Sequence, residues 1–237
     1  KRIAEFSDDG IVLWGAYGTR IFDQIGPLIR RLEEDPNDRA AILQIWRVND
    51  LNAKTKDRPC NDMILFKIRQ NKLHMTVINR SNDLHWGLYA VNIPTFGILM
   101  DWLAARLVVG MGNQIHLSNS LHIYTGGKGM KPNIEITKNM LYRGTEKLPE
   151  MPPHERVFTA PIPHDTLIKA CDEILGHHLN LGSYNGGIPF LEFADDFLYC
   201  YRHPTDYKKI GDVHACRHAD KYQDWIKAAE IWAGEDD

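Results

Sequence analysis

From Met63 to Ile78 the chain is committed to one local structure. Met63-Ile64-Leu65-Phe66 and Leu73-His74-Met75-Thr76-Val77-Ile78 are apolar runs of strand length, and Arg69-Gln70-Asn71-Lys72 separates them. That pattern predicts two antiparallel strands closed by a tight turn. A hairpin of this kind needs further strands and a helical layer to bury its apolar face, and both lie nearby in the sequence. Ala41 to Trp46 reads as a short buried strand and Ile115 to Tyr124 as another. Ile21, Ile25, Leu28, Ile29 and Leu32 recur at helical spacing, in a helix that Asp35-Pro36-Asn37-Asp38 ends. Ile93 to Val109 has few polar positions and carries Pro94 in its first turn, where proline is tolerated, so it predicts a buried central helix. Strands and helices alternate irregularly. The fold class expected is therefore α+β or mixed α/β, not a regular βαβ series.

The rest is loop and a more irregular second half. Trp14-Gly15-Ala16-Tyr17-Gly18 is a glycine-punctuated loop. Asn49 to Pro59 is polar, and His85, Trp86 and Tyr89 fall in a stretch read as the loop after Asp83. Gly126 to Pro153 reads as loop with one short helix, Asp165 to Leu175 as a helix and Gly182 to Gly187 as a flexible loop. Tyr222, Trp225, Ile226, Ala229 and Trp232 mark an amphipathic terminal helix. At 237 residues one compact domain is the default and two small ones are the alternative, and 43% hydrophobic residues suffice for a core.

Composition narrows the function. A net charge of -3 offers no broad basic face, so nucleic acid is not an expected partner and any phosphate recognition must be local. No apolar run of membrane-spanning length and no signal peptide is recognised, so no membrane partner is expected. Cys60, Cys171, Cys200 and Cys216 are irregularly spaced, which fits a reducing, cytoplasmic setting better than a disulfide framework. His214, Cys216 and His218, with Cys200 and His203, look like a metal cluster by composition only. Their spacing fits no standard zinc pattern, and no metal is expected. Lys128, Lys131, Lys138 and Lys147 read as a solvated basic face, with attraction for a polyanionic ligand as the alternative.

Chemistry gathers at the ends of the predicted hairpin. Arg58-Pro59-Cys60 precedes it and Asn79-Arg80-Ser81-Asn82-Asp83 follows it. A thiolate is a nucleophile, and a fixed cation nearby lowers a thiol's pKa from about 8.5 toward neutrality. Guanidinium matches phosphate oxygens bidentately and a hydroxyl adds one hydrogen bond, so Arg80 and Ser81 suit a phosphate. The alternatives are an ordinary buried cysteine and a surface arginine at a strand end.

In this order, Arg58-Pro59-Cys60, Asn79-Arg80-Ser81-Asn82-Asp83, Asn92 and Leu121-His122-Ile123-Tyr124 resemble the thymidylate synthase and pyrimidine hydroxymethylase superfamily. The resemblance runs from about Gly15 to Tyr124, roughly half the chain. Beyond it, from about residue 126 to 237, the chain looks more like the divergent phage-type branch. The resemblance implies a single thymidylate synthase-like domain over 1–237, with a mixed, twisted sheet covered by helices and dimerising through the sheet. It also implies that the family's N-terminal phosphate arginine and general-base glutamate would precede Lys1, so the numbered chain is read as entering the pattern part-way.

The resemblance implies roles residue by residue. Cys60 would add to C6 of a pyrimidine, and C5 would then accept a one-carbon unit. Arg80 and Ser81 would hold the substrate phosphate, and Arg80 would also hold the thiolate's charge. Arg39 would reach the phosphate of a partner subunit in a homodimer, or else be a surface arginine near a helix end. Asp83 and Asn92 would read the base. An amide can both accept from and donate to uracil, so Asn92 favours uracil over cytosine. His122 and Tyr124, alternating on a strand, would bind the sugar 3′-hydroxyl, or else be a core pair. Tyr17 would assist proton removal from C5.

Three departures accompany these assignments. Ala40 stands where the family has a second arginine. Asn61 stands where a histidine usually follows the nucleophile. Asp83 to Asn92 is one residue longer than usual, so either a bulge absorbs the residue or Asn92 is a different one. The reaction implied is folate-dependent transfer from 5,10-methylenetetrahydrofolate to C5 of a pyrimidine nucleoside monophosphate, with dUMP expected. Ala40, Asn61 and a C-terminal region unlike that of the usual synthase, whose end closes over the site and excludes water, favour a hydroxymethyl product. The alternatives are a thymidylate synthase making dTMP and a catalytically degenerate nucleotide-binding homologue.

Overall fold

The computed structural model describes residues 6–124, 157, 158, 160–180, 186–202, 216 and 218–223. The chain divides into two compact units, Lys1–Glu146 and Lys147–Asp237. The hairpin expected from the apolar runs is the centre of the first unit. Strand β2, Asn61–Arg69, pairs antiparallel with β3, Lys72–Asn79, in a register that sets Arg69 against Lys72 and Phe66 against Met75. Gln70 and Asn71 make the turn with φ of 51° and 55°. Two consecutive left-handed residues give the turn whose twist matches that of the flanking strands.

On either side of the hairpin a strand completes the sheet. β1, Ile42–Gln44, is antiparallel to β2, and β5, Gly110–Ser118, is parallel to β3, so the order is β1-β2-β3-β5. A parallel neighbour requires a crossover. The chain between β3 and β5 supplies it through α2, Ile93–Arg106, which packs on both strands. Helix α1, Tyr17–Glu34, packs on β1 and buries Ile21, Ile25, Leu28, Ile29 and Leu32, the five residues whose spacing announced it. It ends at Asp35, whose N–H donates to Arg31 O at 2.9 Å.

Alternation divides the sheet into two faces. Leu43, Ile64 and Val77 lie in register on the helix-covered face and are fully buried. The opposite face carries two rows, Ile42-Leu65-Thr76-Ile115 and Gln44-Met63-Ile78-Leu117. Ile42, Ile115 and Leu117 are 40%, 42% and 54% exposed, so an apolar sheet face remains open.

Two sequence expectations change here. Ile115 to Tyr124 is not one strand: β5 stops at Ser118, and Leu121–His122 forms a separate strand β6, parallel to β4, Asn82–Asp83. Nor is the stretch after Asp83 a loop. Leu84–Asn92 is a π-helix running directly into α2, with Ile93 N–H donating to Leu88 O five residues back. The reason is Asp83, whose carboxylate accepts from Trp86 N at 2.6 Å and Gly87 N at 3.4 Å and so caps the start of a helix. The continuous helical segment Leu84–Arg106 reaches the length and mean hydropathy of a membrane span, which the sequence reading did not single out. Its α2 portion buries Phe96, Met100, Trp102, Leu103 and Ala104, as a core helix does.

In the second unit, α3 spans His164–Asn180 and α4 spans Pro189–Arg202. Phe158, Phe190, Phe193 and Tyr222 are buried there, with neighbouring rings 4.8–5.8 Å apart. The expected short helix and lysines between Gly126 and Pro153, and the terminal helix beyond Gln223, lie outside the described residues.

Candidate active site

Strand register alone brings the two motifs flanking the hairpin together. Asn61 pairs with Asn79, so Cys60 and Arg80, one residue beyond each, become neighbours. Arg80 N–H donates to Cys60 O at 3.0 Å. The guanidinium then grips the nucleophile loop, with Nε donating to Pro59 O at 2.9 Å and Nη2 to Arg58 O at 3.3 Å. It lies over the Trp46 ring, 5.3 Å from its centre. These bonds occupy two of its five N–H donors, leaving others for an anion. A register shift between Asn61 and Met63 sits directly after the thiol, where a bulge re-aims the start of a strand.

The thiol is not held near neutrality as expected. Burial pushes the Cys60 thiol above its ordinary value. The Arg80 charge pulls it down, and Asp57 and Asp62 push it further up. Desolvation wins because a thiolate loses its water shell while the guanidinium is partly occupied with carbonyl oxygens. Peptide-resolved alkylation of Cys60 by iodoacetamide is therefore expected to titrate at higher pH than a free cysteine. Arg80→Gln, which removes the one lowering charge, is expected to slow alkylation at pH 8 several-fold further. An Arg80→Gln rate equal to wild type would separate this guanidinium from the sulfur.

Tyr17 approaches the same place from the start of α1. Burial first, and then the charge of Cys60, raises its phenol to about 12, while backbone hydrogen bonding at Cys60 and Asn61 pulls the other way. Its ring stacks on Phe96 at 6.0 Å. Upstream, Gly15 N–H donates to an Asp57 carboxylate oxygen at 2.8 Å, and a Cβ on Gly15 would come within 2.8 Å of Asp57 O. Glycine lets the Tyr17 loop lie against the Cys60 loop. A buried pair underlies both, since Arg20 Nη1 and Nη2 meet the Asp50 carboxylate at 2.7 and 2.9 Å. Arg20 also donates to Trp14 O, and Trp14 Nε1 donates to Asp50.

The other expected residues fall into separate groups. Ser81 is half-buried and Arg39 exposed; among the described residues neither side chain makes a hydrogen bond or ion pair. Asp83 stands opposite His122 in the β4–β6 ladder. One Asp83 oxygen caps the helix and the other, Oδ1, is buried without a partner. The His122 and Tyr124 rings meet edge to face at 4.9 Å, even though Tyr124 lies beyond the strand. Asn92 is buried at the end of the π-helix, and its Nδ2 donates to Asn82 Oδ1 at 3.0 Å. Leu84–Asn92 is π-helical, and a π turn carries one more residue than an α turn.

Sequence reasoning missed Arg20, Asp50 and the hydrogen bonds that tie the buried asparagines together. Asn61 Nδ2 donates to Asn79 Oδ1, and Asn79 Nδ2 donates to Leu117 O at 3.1 Å. Among the described residues Asn61 Oδ1 has no partner. The only advance signal was asparagine recurring at 61, 79, 82 and 92. Among the described residues no group of three His, Cys, Asp or Glu is placed to hold a metal. His218 instead contacts Glu192, Nε2 to Oε2, at 2.8 Å.

A sheet covered by helices on one face, with cysteine, arginine and tyrosine converging where the central hairpin begins and ends, defines a protein with a half-buried thiol beside a guanidinium. The family model described as thymidylate synthase matches residues 9–162, and the chain belongs to that family. It is 34% identical over 155 residues to a protein named deoxyuridylate hydroxymethyltransferase from Bacillus phage SP01, covering 58% of this chain and 40% of that protein. It is 38% identical over 130 residues to one of the same name from Pseudomonas phage M6, covering 52% and 37%. To a thymidylate synthase of Buchnera aphidicola (subsp. Schizaphis graminum) it is 27% identical over 138 residues, covering 58% and 49%. The chain thus spans about half or less of the length of these relatives.

Proposed function

We propose that this chain carries the nucleophile of a folate-dependent enzyme transferring a one-carbon unit to C5 of dUMP, with hydroxymethyl-dUMP as the product. The observation that supports it most is the convergence of Cys60, Arg80 and Tyr17 in a member of this family. Two relatives named deoxyuridylate hydroxymethyltransferase support the choice of base and product.

Cys60 sulfur adds to C6 of the ring, and the ring electrons move to C5 and O4. Arg80, Ser81 and a partner subunit's copy of Arg39 hold the phosphate. Asp83 and Asn92 address the base edge, and His122 and Tyr124 the sugar. When bound, 5,10-methylenetetrahydrofolate would supply the one-carbon unit, and C5, made nucleophilic by the addition at C6, forms the new carbon–carbon bond to it. The exposed rings of Trp86 and Tyr89 offer faces on which the folate heterocycle would stack. Tyr17 assists removal of the C5 proton as tetrahydrofolate leaves the transferred carbon, and a ring-bound exocyclic methylene remains. Water adds to that carbon and sulfur leaves C6, restoring the ring and the thiol. Hydride in place of water would give dTMP.

The products decide between these outcomes. Incubation with dUMP and labelled 5,10-methylenetetrahydrofolate is expected to yield hydroxymethyl-dUMP and tetrahydrofolate. Appearance of dTMP and dihydrofolate would overturn the hydroxymethyl reading.

The open sheet face supports a homodimer, because Ile42, Ile115 and Leu117 would otherwise stay wet. Sedimentation is expected to show a dimer at micromolar concentration, and Leu117→Lys is expected to shift it to monomer. A wild-type monomer would remove the partner role of Arg39.

A further inference from the structure

Uracil and cytosine present opposite edges. Uracil offers the N3–H donor and the O4 acceptor; cytosine offers the N3 acceptor and the amino donor. One carboxamide can match either, but only by turning end for end. Whatever sets the rotation of the Asn92 amide therefore sets the base. This step rests on the reading above, in which Asn92 faces the pyrimidine.

In the structure the amide is not free to turn. Asn92 and Asn82 are 3% and 1% exposed. Asn92 Nδ2 donates to Asn82 Oδ1 at 3.0 Å, and Asn82 Nδ2 donates to Ser118 Oγ at 3.1 Å. Turning Asn92 alone would set two carbonyl oxygens face to face in a dry site, which costs the contact and adds repulsion. Turning both would require the Ser118 hydroxyl to donate where it now accepts. Asn82 is itself anchored. Its N–H donates to Ser120 O at 2.8 Å, it pairs with Leu121 in the β4–β6 ladder, and a Cβ on Gly87 would lie 2.8 Å from its Oδ1. The π-helix brings Asn92 to this oxygen despite the extra residue.

We propose that Asn82 is a positioning residue that determines base specificity. Its side-chain oxygen commits the nitrogen of the Asn92 amide to one end, and Ser118 holds Asn82 in turn. Asn82 touches no base; it acts through Asn92.

The test compares dissociation constants for dUMP and dCMP, measured calorimetrically on the wild type, Asn82→Ala and Asn82→Asp. The wild type is expected to prefer dUMP. Asn82→Ala is expected to reduce that preference about tenfold, through weaker dUMP and unchanged or tighter dCMP binding. Asn82→Asp can only accept at this position, so it should keep the preference within about threefold. A merely structural role would weaken both nucleotides together. Equal weakening, an unchanged ratio in Asn82→Ala, or an equal loss in both variants would overturn the proposal. Should Asn82→Ala not melt cooperatively, Ser118→Ala, which frees Asn82 to turn, is expected to reduce the preference several-fold, and an unchanged ratio would overturn it. A wild type that prefers dCMP would overturn the dUMP reading, while loss of that preference in Asn82→Ala would still support Asn82. A wild type binding neither nucleotide would overturn both.

Discussion

Cys60→Ser is expected to lower turnover of dUMP by on the order of 10^4-fold or more and to abolish the covalent adduct with 5-fluoro-dUMP seen by mass spectrometry. Both follow from placing the bond-forming step on one sulfur. A serine hydroxyl is a far weaker nucleophile than a thiol when no base is in reach to take its proton, and among the described residues the side chain at 60 makes no hydrogen bond to a base. The structural cost should be small. Cys60 is half-buried, its backbone oxygen keeps the bond from Arg80 N–H, and serine differs from it by one atom. Stability is therefore expected to change by less than about 1 kcal/mol. Loss of activity with an unchanged melting temperature is the signature sought. Turnover within tenfold of wild type would end the covalent route and leave the degenerate nucleotide-binding homologue as the reading.

The second large effect is on stability. Asp50→Ala is expected to cost about 3–5 kcal/mol, because it strands the Arg20 guanidinium in the interior. Arg20 and Asp50 side chains are 5% and 1% exposed. The Asp50 carboxylate accepts from both Arg20 nitrogens, from Trp14 Nε1 at 2.8 Å and from Arg47 N–H at 2.7 Å. Hydrogen bonds from Arg20, opposed by burial, hold the Asp50 carboxyl far below the usual carboxylate range. A depressed folded-state pKa contributes stability that is complete above the unfolded value of about 3.9 and is lost as pH falls below it. Acid unfolding of the wild type should steepen below about pH 4, and Asp50→Asn should flatten that limb. A melting temperature for Asp50→Ala within a degree or two of wild type would show that the pair does not hold the Trp14–Tyr17 stretch in place.

The Cys60 titration and these two variants separate tasks that occupy one small region. Arg80 has two of them. Through Nε and Nη2 it fixes the loop that presents the thiol, and with its remaining donors it can meet a phosphate. Its charge lowers the thiol pKa without overcoming burial, so the resting protein keeps its thiol protonated at neutral pH. That arrangement protects the nucleophile from oxidation and adventitious alkylation.

Local signals in the sequence were sufficient for the hairpin, for α1 and for the apolar face of α2. Strand alternation, helical spacing and turn residues are set by neighbours within a few positions, and each pointed the same way. The meeting of Cys60 with Arg80 was also legible, because a hairpin carries the residues at its two open ends to one place. The helix after Asp83 was not. Its aromatic and polar mixture reads as loop until the Asp83 side chain is seen capping it, and the wide turn that accommodates the extra residue before Asn92 leaves no local mark.

By itself, then, the sequence determined which residues could react and which strands would bring them together, since motif order and hairpin register are properties of the chain. Tertiary structure decided their state. Whether the thiol rises or falls depends on how much water the fold removes around it. Whether a lone arginine is surface or keystone depends on Asp50 arriving from thirty positions away. Which way an asparagine amide faces depends on the buried oxygen that meets it. Desolvation and long-range pairing are summed over the whole packed molecule, and no window of neighbouring residues contains that sum.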